Sequence, residues 1–191
     1  MKKIAVMNFS GQYNHLISRR IKEINGESIL LSGKITLEEI EKQDILGIIL
    51  GGGPDSIPNI IGDDLYMNLK DILINSQIPV LGICLTHQMI ASIFNGEVKK
   101  SQTPEYGPIE VIVEDDNDIL NGLGSKFQAW ASHTDEVVKI PNESKILAKS
   151  ENCKIEALKI YNRNIFGVQF HPEVSHTQKG GTIFRNFLSL C

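Results

Sequence analysis

Long hydrophobic runs are absent from the chain. No stretch approaches the roughly 20 apolar residues that a membrane-spanning helix needs. The apolar run within residues 1–8 is also too short for a secretory signal peptide. We therefore expect no contact with a membrane and a cytoplasmic location.

Cysteine is scarce, and an excess of positive charge is missing. The three cysteines, Cys84, Cys153 and Cys191, are an odd number without the spacing of metal ligands. This pattern disfavours both a disulfide framework and a zinc site, so we expect no metal. A net charge of −4 offers no basic surface for nucleic acid, and we expect no nucleic-acid partner.

The composition that is present is that of an ordinary globular protein. Of 191 residues, 41% are hydrophobic and 22% are charged. The sequence shows no linker, low-complexity segment or internal repeat. This length is enough for one well-buried domain, so we expect a single domain over residues 1–191.

The N-terminal half has the pattern of a parallel sheet with helices. Apolar runs without alternation predict strands that are buried on both faces, at 4–7, 45–50 and 79–83. Amphipathic spacing and a capping box predict the intervening helices, at 16–24, 36–39 and 65–73. In such wound sheets, ligands bind at the carboxyl ends of the strands.

From about residue 97 the pattern changes to strands separated by turn residues. They are expected at 109–113, 136–140, 155–160 and 165–169, with a closing helix over 182–190. The predicted fold class is therefore α/β. It is an open, wound, mostly parallel sheet flanked by helices, with extra antiparallel strands in the C-terminal half.

Cys84 is the first candidate for chemistry. It lies in Gly82-Ile83-Cys84-Leu85-Thr86, between a predicted strand and a helix-like run over 87–95. A sharp strand-to-helix turn projects the sulfur above the sheet, and a helix N-terminus favours the thiolate. A free cysteine also commonly packs as a small buried hydrophobe, so this motif alone leaves both interpretations open.

The segment Phe170-His171-Pro172-Glu173 follows another predicted strand. Residues two apart in an extended segment project to the same side, so Glu173 can orient His171. Such a histidine is the acid and base that a cysteine nucleophile needs. Taken alone, a strand-end histidine beside a solvated glutamate is the better explanation, and Cys84 alters that balance.

Gly51-Gly52-Gly53 follows the predicted strand that ends at Leu50. Consecutive glycines let backbone N–H groups approach a ligand, which suits an oxyanion hole or a phosphate. The lysine of a Walker-type phosphate loop is missing from the following residues, which favours the oxyanion role. A simple glycine turn remains an alternative.

The order of these motifs, glycine loop, cysteine turn and histidine–glutamate, resembles that of class I, triad-type, glutamine amidotransferases over essentially the whole chain. Within that class, three segments are similar to the amidotransferase subunits of GMP synthetases, at 10–20, 130–137 and 171–177. The last of them matches the pattern His-Pro-Glu-Val-x-His-Thr.

The resemblance implies a glutaminase whose catalytic residues are Cys84, His171 and Glu173. It implies that the N–H groups of Gly53 and Leu85 hold the oxyanion, each worth about 3 kcal/mol of barrier. It also implies that glutamine is contacted by Gln88 and Gly52. Gln88 would otherwise be taken for a polar residue on an exposed helix face.

The resemblance further implies a separate partner chain. In these relatives, ammonia aminates xanthosine monophosphate (XMP) to GMP at an ATP pyrophosphatase subunit. We therefore expect ATP and Mg²⁺ at the partner and no cofactor in this chain. The resemblance places His133 and Asp135 near the partner, and Asp135 is expected to couple the two activities. A loop fixed by local hydrogen bonds explains these two residues equally well.

Three residues depart from the family pattern. Thr86 replaces the last glycine of the usual Gly-x-Cys-x-Gly turn, and its branched Cβ resists unusual backbone angles. Its hydroxyl could cap helix N–H groups, and we expect Thr86→Gly to keep or raise activity. Asn8 and Ser10 stand where relatives commonly have aspartate and glycine.

Other functions remain open at this point. The chain could be a cysteine hydrolase of another amide, because similar turns occur on related folds with other chemistries. It could be a non-catalytic regulatory module that binds glutamine or a partner. It could also be the amidotransferase subunit of an anthranilate- or aminodeoxychorismate-type synthase.

Overall fold

The computed structural model describes residues 3–191. The strands are β1 (Lys3–Asn8), β2 (Glu27–Ser32), β3 (Gly47–Leu50), β4 (Val80–Ile83), β5 (Glu97–Val113), β6 (Lys126–Lys139), β7 (Ser144–Lys149), β8 (Ala157–Ile160) and β9 (Ile165–Val168). The helices are α1 (Asn14–Glu23), α2 (Leu37–Glu41), α3 (Ile57–Ile60), α4 (Asp64–Asn75), α5 (Leu85–Ile93) and α6 (Gly180–Ser189). A 3₁₀ turn spans Asp118–Leu120.

The strands form a nine-stranded sheet in the order β2-β1-β3-β4-β9-β8-β7-β5-β6. The first five of these, β2 to β9 in that order, are parallel to one another. From β9 onward, each neighbouring pair is antiparallel. The predicted fold class, a wound parallel sheet with antiparallel strands from the C-terminal half, is confirmed.

The parallel strands are buried on both faces, which explains why their sequences lack alternation. Along β1, Ala5 and Met7 pack into one apolar cluster, whereas Ile4 and Val6 pack into the other. Residues of α4 and α5 lie in the first cluster and residues of α1 and α6 in the second. Burial of both faces is the pattern expected for parallel sheets with helices on each side.

The structure differs from the prediction in strands whose apolar runs are short or interrupted. The pattern missed β2 and β7, and it found only the ends of β5 and β6. In β5 most side chains are exposed or half-buried, and the strand is held by antiparallel pairing with β6. Pairing of this kind leaves no apolar run in the sequence, because the hydrogen bonds are made by the backbone.

The carboxyl ends of β3, β4 and β9 lie at one edge of the sheet, since these strands are parallel neighbours. Each is followed directly by one of the three candidate motifs. The antiparallel β5–β6 pair contributes residues 132–135 beside them. Within residues 3–191, the structure has no helix of the length and apolarity that a membrane crossing needs.

Candidate active site

Cys84 forms the turn between β4 and α5, as predicted, although the helix begins at once with Leu85. Its φ of 56° and ψ of −108° are angles that residues other than glycine rarely adopt. The turn is anchored because the Cys84 N–H donates to the Val168 carbonyl on β9, at 2.8 Å. Its side chain lines two adjoining clefts at the carboxyl edge of the sheet.

His171 and Glu173 are in direct contact, as the sequence predicts. His171 Nδ1 lies 2.7 Å from Glu173 Oε1. The chain forms a turn here, whereas the prediction assumed an extended segment. The turn is fixed from outside, because Arg20 Nε donates to the Glu173 carbonyl at 3.0 Å and Thr177 Oγ1 donates to the His171 carbonyl.

Cys84 and His171 meet across Gly52. A Cβ placed on Gly52 would lie 3.4 Å from Cys84 Cβ and 3.6 Å from His171 Cε1, so both side chains pack against this glycine. Burial disfavours the imidazolium form of His171. Hydrogen bonds to Cys84 and to Glu173 outweigh burial and raise the pKa of His171 well above its usual value. The site therefore favours a proton on the imidazole beside the sulfur.

Two backbone N–H groups are available beside Cys84. Gly53 and Leu85 are close neighbours, because a Cβ on Gly53 would lie 2.8 Å from Leu85 Cδ2 and would clash with the Phe9 carbonyl. Within residues 3–191, neither the Gly53 N–H nor the Leu85 N–H has a hydrogen-bond acceptor. Unpaired N–H groups beside a nucleophile are what an oxyanion hole requires.

Comparison with known families agrees with this geometry. The family model described as "Glutamine amidotransferase class-I" matches residues 5–191. The chain belongs to the class-I glutamine amidotransferase family. Two similar proteins are each named as one subunit of a glutamine-hydrolyzing GMP synthase. The one from Methanosphaera stadtmanae is 48% identical over 98% of this chain and 97% of its own. The one from Ignicoccus hospitalis is 44% identical over 100% and 99%.

Solved structures share the fold of this amidotransferase. A crystal structure from Thermoplasma acidophilum, provisionally assigned as a subunit of GMP synthase, has a TM-score of 0.92 and 32% identity. It covers 100% of this chain and 94% of that chain. A glutamine amidotransferase from Thermotoga maritima has a TM-score of 0.75 and 20% identity over 98% and 81% of the two chains, which shows the fold alone.

Gln88 of the amidotransferase is buried, although its sequence context suggests an exposed helix face. It lines a cleft together with Cys84 and Leu85. Its Nε2 donates to the Asp135 carbonyl at 2.8 Å and to Gln169 Oε1 at 3.0 Å. Sequence reasoning missed Gln169, whose Nε2 lies 3.7 Å from Cys84 Sγ. The only signal was its position just before Phe170-His171.

His133 and Asp135 lie beside the same cleft. His133 is buried, with Nδ1 3.0 Å from the Asp135 carbonyl and Nε2 3.0 Å from Glu105 Oε2. The sequence offered no partner for His133, because Glu105 is supplied by β5 across the antiparallel register. Residues 132–135 lie within β6, so the prediction of a loop here is wrong, because antiparallel pairing with β5 extends the strand through them. Local hydrogen bonding, one of the two explanations of these residues, is present.

A cluster of buried metal-ligand side chains continues behind His133. It consists of Glu105, His133, Cys153 and Glu156, whose ligand atoms lie within 4.8 Å of one another. These donor types suit zinc. However, His133 and Glu105 already bond each other. Burial, followed by the neighbouring Glu105, raises the pKa of Glu156 well above its usual value. A proton on Glu156 therefore offsets part of the buried negative charge.

Thr86 has a role that the sequence did not reveal. Thr86 lies in the first turn of α5, where its backbone is helical, and it is fully buried. Its Oγ1 accepts a hydrogen bond from the Ile83 N–H at 2.8 Å and lies 2.9 Å from the Leu50 carbonyl. The expectation that this hydroxyl caps helix N–H groups is wrong, because it joins the ends of β3 and β4.

Because of this role, we now expect Thr86→Gly to lower the free energy of unfolding. The contribution of the hydroxyl alone is tested with Thr86→Val. Valine keeps the branched shape but leaves the buried Ile83 N–H unpaired. We expect the free energy of unfolding to fall by about 1–3 kcal/mol in urea titration. Thr86→Ser keeps the hydroxyl and is the control. Equal stability of wild type and Thr86→Val would contradict the assigned role.

The other two departures are explained locally. Ser10 has φ of 65°, a conformation in which glycine is unstrained, which accounts for the glycine common in relatives. Asn8 Oδ1 accepts from the Ser10 N–H at 2.8 Å and from Asn14 Nδ2 at 2.6 Å. Asn8 thus fixes the loop that borders the cleft of Cys84.

Proposed function

We propose that this chain is the glutaminase subunit of a two-subunit GMP synthase. The observation that carries the proposal is the contact of Cys84 with His171 and of His171 with Glu173, beside two unpaired N–H groups. The names of relatives that are 42–48% identical over nearly the whole chain support the assignment to GMP synthesis.

In the proposed reaction, the Cys84 thiolate attacks the side-chain amide carbon of glutamine. A carbon–sulfur bond forms, and the carbonyl oxygen becomes an oxyanion held by the N–H groups of Gly53 and Leu85. The carbon–nitrogen bond then breaks, and the His171 imidazolium gives its proton to the departing nitrogen. The products of this half are ammonia and a glutamyl thioester on Cys84.

Hydrolysis of the thioester completes the cycle. Neutral His171 removes a proton from water, and the resulting hydroxide attacks the thioester carbon. The carbon–sulfur bond breaks to release glutamate, the Cys84 thiolate is restored, and His171 is again an imidazolium. Glu173 stabilises that charge in both halves, since its carboxylate contacts Nδ1 throughout.

Gln88 and Gly52 are proposed to contact the substrate. Both Nε2 hydrogens of Gln88 are used by protein acceptors, so only its Oε1 is left to bind glutamine. An oxygen acceptor suits the positively charged α-amino group of glutamine. Gly52 lies between Cys84 and His171, where the lack of a side chain leaves room for the reacting amide.

The ammonia is proposed to be used on a separate ATP pyrophosphatase subunit, which activates XMP with ATP and Mg²⁺. The test is to mix this chain with a candidate pyrophosphatase chain and to measure glutamine-dependent GMP formation. We expect GMP with wild type and none with Cys84→Ala, while added ammonium salts restore GMP in both mixtures. Glutamine hydrolysis without GMP would favour an anthranilate-type or other synthase.

Asp135 is proposed to couple glutamine hydrolysis to the partner. We expect Asp135→Ala to lower the factor by which the partner and its nucleotides stimulate glutamine hydrolysis by about tenfold, within the usual range of coupling energies. The measurement compares turnover with and without saturating partner. Asp116→Ala, at an exposed aspartate that lines neither cleft around Cys84, is the control. An unchanged stimulation factor in Asp135→Ala would contradict the proposal.

A further inference from the structure

We propose that Gln169 is a further catalytic residue, which donates a hydrogen bond to the sulfur of Cys84 and stabilises its thiolate form. The proposal rests on the proposed role of Cys84 as nucleophile. Gln169 is fully buried at the end of β9, and its Nε2 lies 3.7 Å from Cys84 Sγ. That distance is within reach for a hydrogen bond to sulfur.

The orientation of the Gln169 amide follows from its neighbours. The Asp135 carbonyl can only accept, so the Gln88 group that faces it at 2.8 Å must be the NH₂. The same NH₂ faces Gln169 at 3.0 Å, so the Gln169 group on that side must be its oxygen. The remaining end of the Gln169 amide, which faces Cys84, is therefore the N–H donor.

The donor distinguishes the thiolate from the thiol. In the thiol form, the Cys84 S–H can donate to the Ser132 carbonyl, which lies 3.7 Å from Sγ. Once the proton has left, that carbonyl faces a negative sulfur and repels it. The Gln169 N–H attracts the thiolate more strongly than the thiol, because hydrogen bonds to a charged partner are the stronger ones.

Burial makes this donor effective. Gln169 is 0% exposed and Gln88 is 3% exposed, so water cannot replace either hydrogen bond without opening the site. A hydrogen bond to a charged group in such surroundings keeps more of its strength than in water. The chain of amides also connects Cys84 to the 132–135 segment, since Gln88 is held by the Asp135 carbonyl.

Two variants separate donation to sulfur from a packing role. Gln169→Met removes both polar ends at similar size. Gln169→Glu keeps an oxygen acceptor for Gln88 but places no amide N–H against Cys84. The carboxylate of Gln169→Glu also disfavours the thiolate by its charge, so Gln169→Met, which adds no charge, is the deciding variant. If Gln169 served only to hold Gln88, the rate profile of Gln169→Met would keep the wild-type midpoint. Gln77→Met, at an exposed glutamine before the amino end of β4, is the matched control.

The readout is the rate at which iodoacetamide alkylates Cys84, followed by mass spectrometry of the Cys84 peptide across a range of pH. The titratable neighbours, His171 bonded to Cys84 and Glu173 bonded to His171, are present in both variants, and Gln169→Glu adds one carboxylate beside Cys84. We expect the midpoint of the rate profile to move upward by about one pH unit or more in both variants, as loss of a hydrogen bond to a charged group implies. Gln77→Met should match wild type.

The results distinguish a failure of the role of Gln169 from a failure of the proposed function. Suppose that Cys84 is reactive in wild type, that Gln169→Met and Gln169→Glu both fold, and that neither variant moves the midpoint. This result would overturn the role of Gln169 alone. A wild-type Cys84 no more reactive than free cysteine would contradict the proposed function itself. Should neither variant fold, the side-chain ¹⁵N signal of Gln169 is followed in the native protein. It should shift when Cys84 is alkylated, and an unchanged signal would overturn the proposal.

Discussion

Replacing Cys84 with alanine is expected to lower glutamine hydrolysis by at least about 10⁴-fold, because the covalent route is lost with the sulfur that His171 contacts. Ammonia release in the presence of partner, XMP, ATP and Mg²⁺ is the measurement. Cys191→Ala is the matched control, since Cys191 lies after α6 and lines none of the clefts around Cys84.

The loss should be confined to glutamine chemistry. GMP formation from added ammonium should be unchanged in Cys84→Ala, because that step is proposed to occur on the partner. The variant should also remain folded, since the turn is held by the backbone bond from Cys84 N–H to Val168. Retention of more than about a hundredth of wild-type glutaminase activity would contradict the proposed nucleophile.

Glu173→Gln is expected to produce the second large effect, a fall of about 10²-fold or more in glutamine hydrolysis. The amide keeps the size of the side chain but removes the negative charge beside His171 Nδ1. The imidazolium then loses the attraction of the Glu173 charge, which helps to offset its burial. The measurement is kcat/KM for glutamine in the presence of the partner. Activity near that of wild type would exclude Glu173 from the triad.

The raised pKa of His171 also predicts how the stability difference between wild type and Glu173→Gln depends on pH. A folded-state pKa above the unfolded value of about 6.5 means that the folded protein binds this proton more tightly. The contribution of this proton to the free energy of unfolding is complete below about pH 6.5 and is lost as the pH rises through the folded-state pKa. In urea unfolding, the advantage of wild type should therefore shrink from about pH 6 towards alkaline pH. A difference that grows with pH would contradict this sign.

The parallel half of the fold was predictable because its strands are buried on both faces. Runs such as Ile4–Met7 and Val80–Ile83 are apolar throughout, and the Thr36–Glu39 capping box is present as expected. The contact of His171 with Glu173 was also local enough to infer from spacing. These features depend on residues that are close in sequence or on a period that the sequence displays.

The rest of the site depends on contacts between distant segments. Gln169 faces Cys84 only because β9 lies beside β4, and His133 meets Glu105 only through the antiparallel pairing of β5 with β6. In the sequence, Thr86 is a departure from the usual glycine of the turn, and its contact with the Leu50 carbonyl is visible only in the structure. No periodicity or spacing in the sequence encodes these long-range hydrogen bonds.

The central claim, that Cys84 is the nucleophile of a glutamine-specific site, is tested most directly by diazo-oxo-norleucine, an electrophile that mimics the glutamine amide. The chain is incubated with it in the presence of the partner and its nucleotides, and the modified peptide is identified by mass spectrometry. We predict one adduct, on Cys84, that glutamine prevents. An adduct on Cys153 or Cys191, or labelling that glutamine does not slow, would contradict the claim.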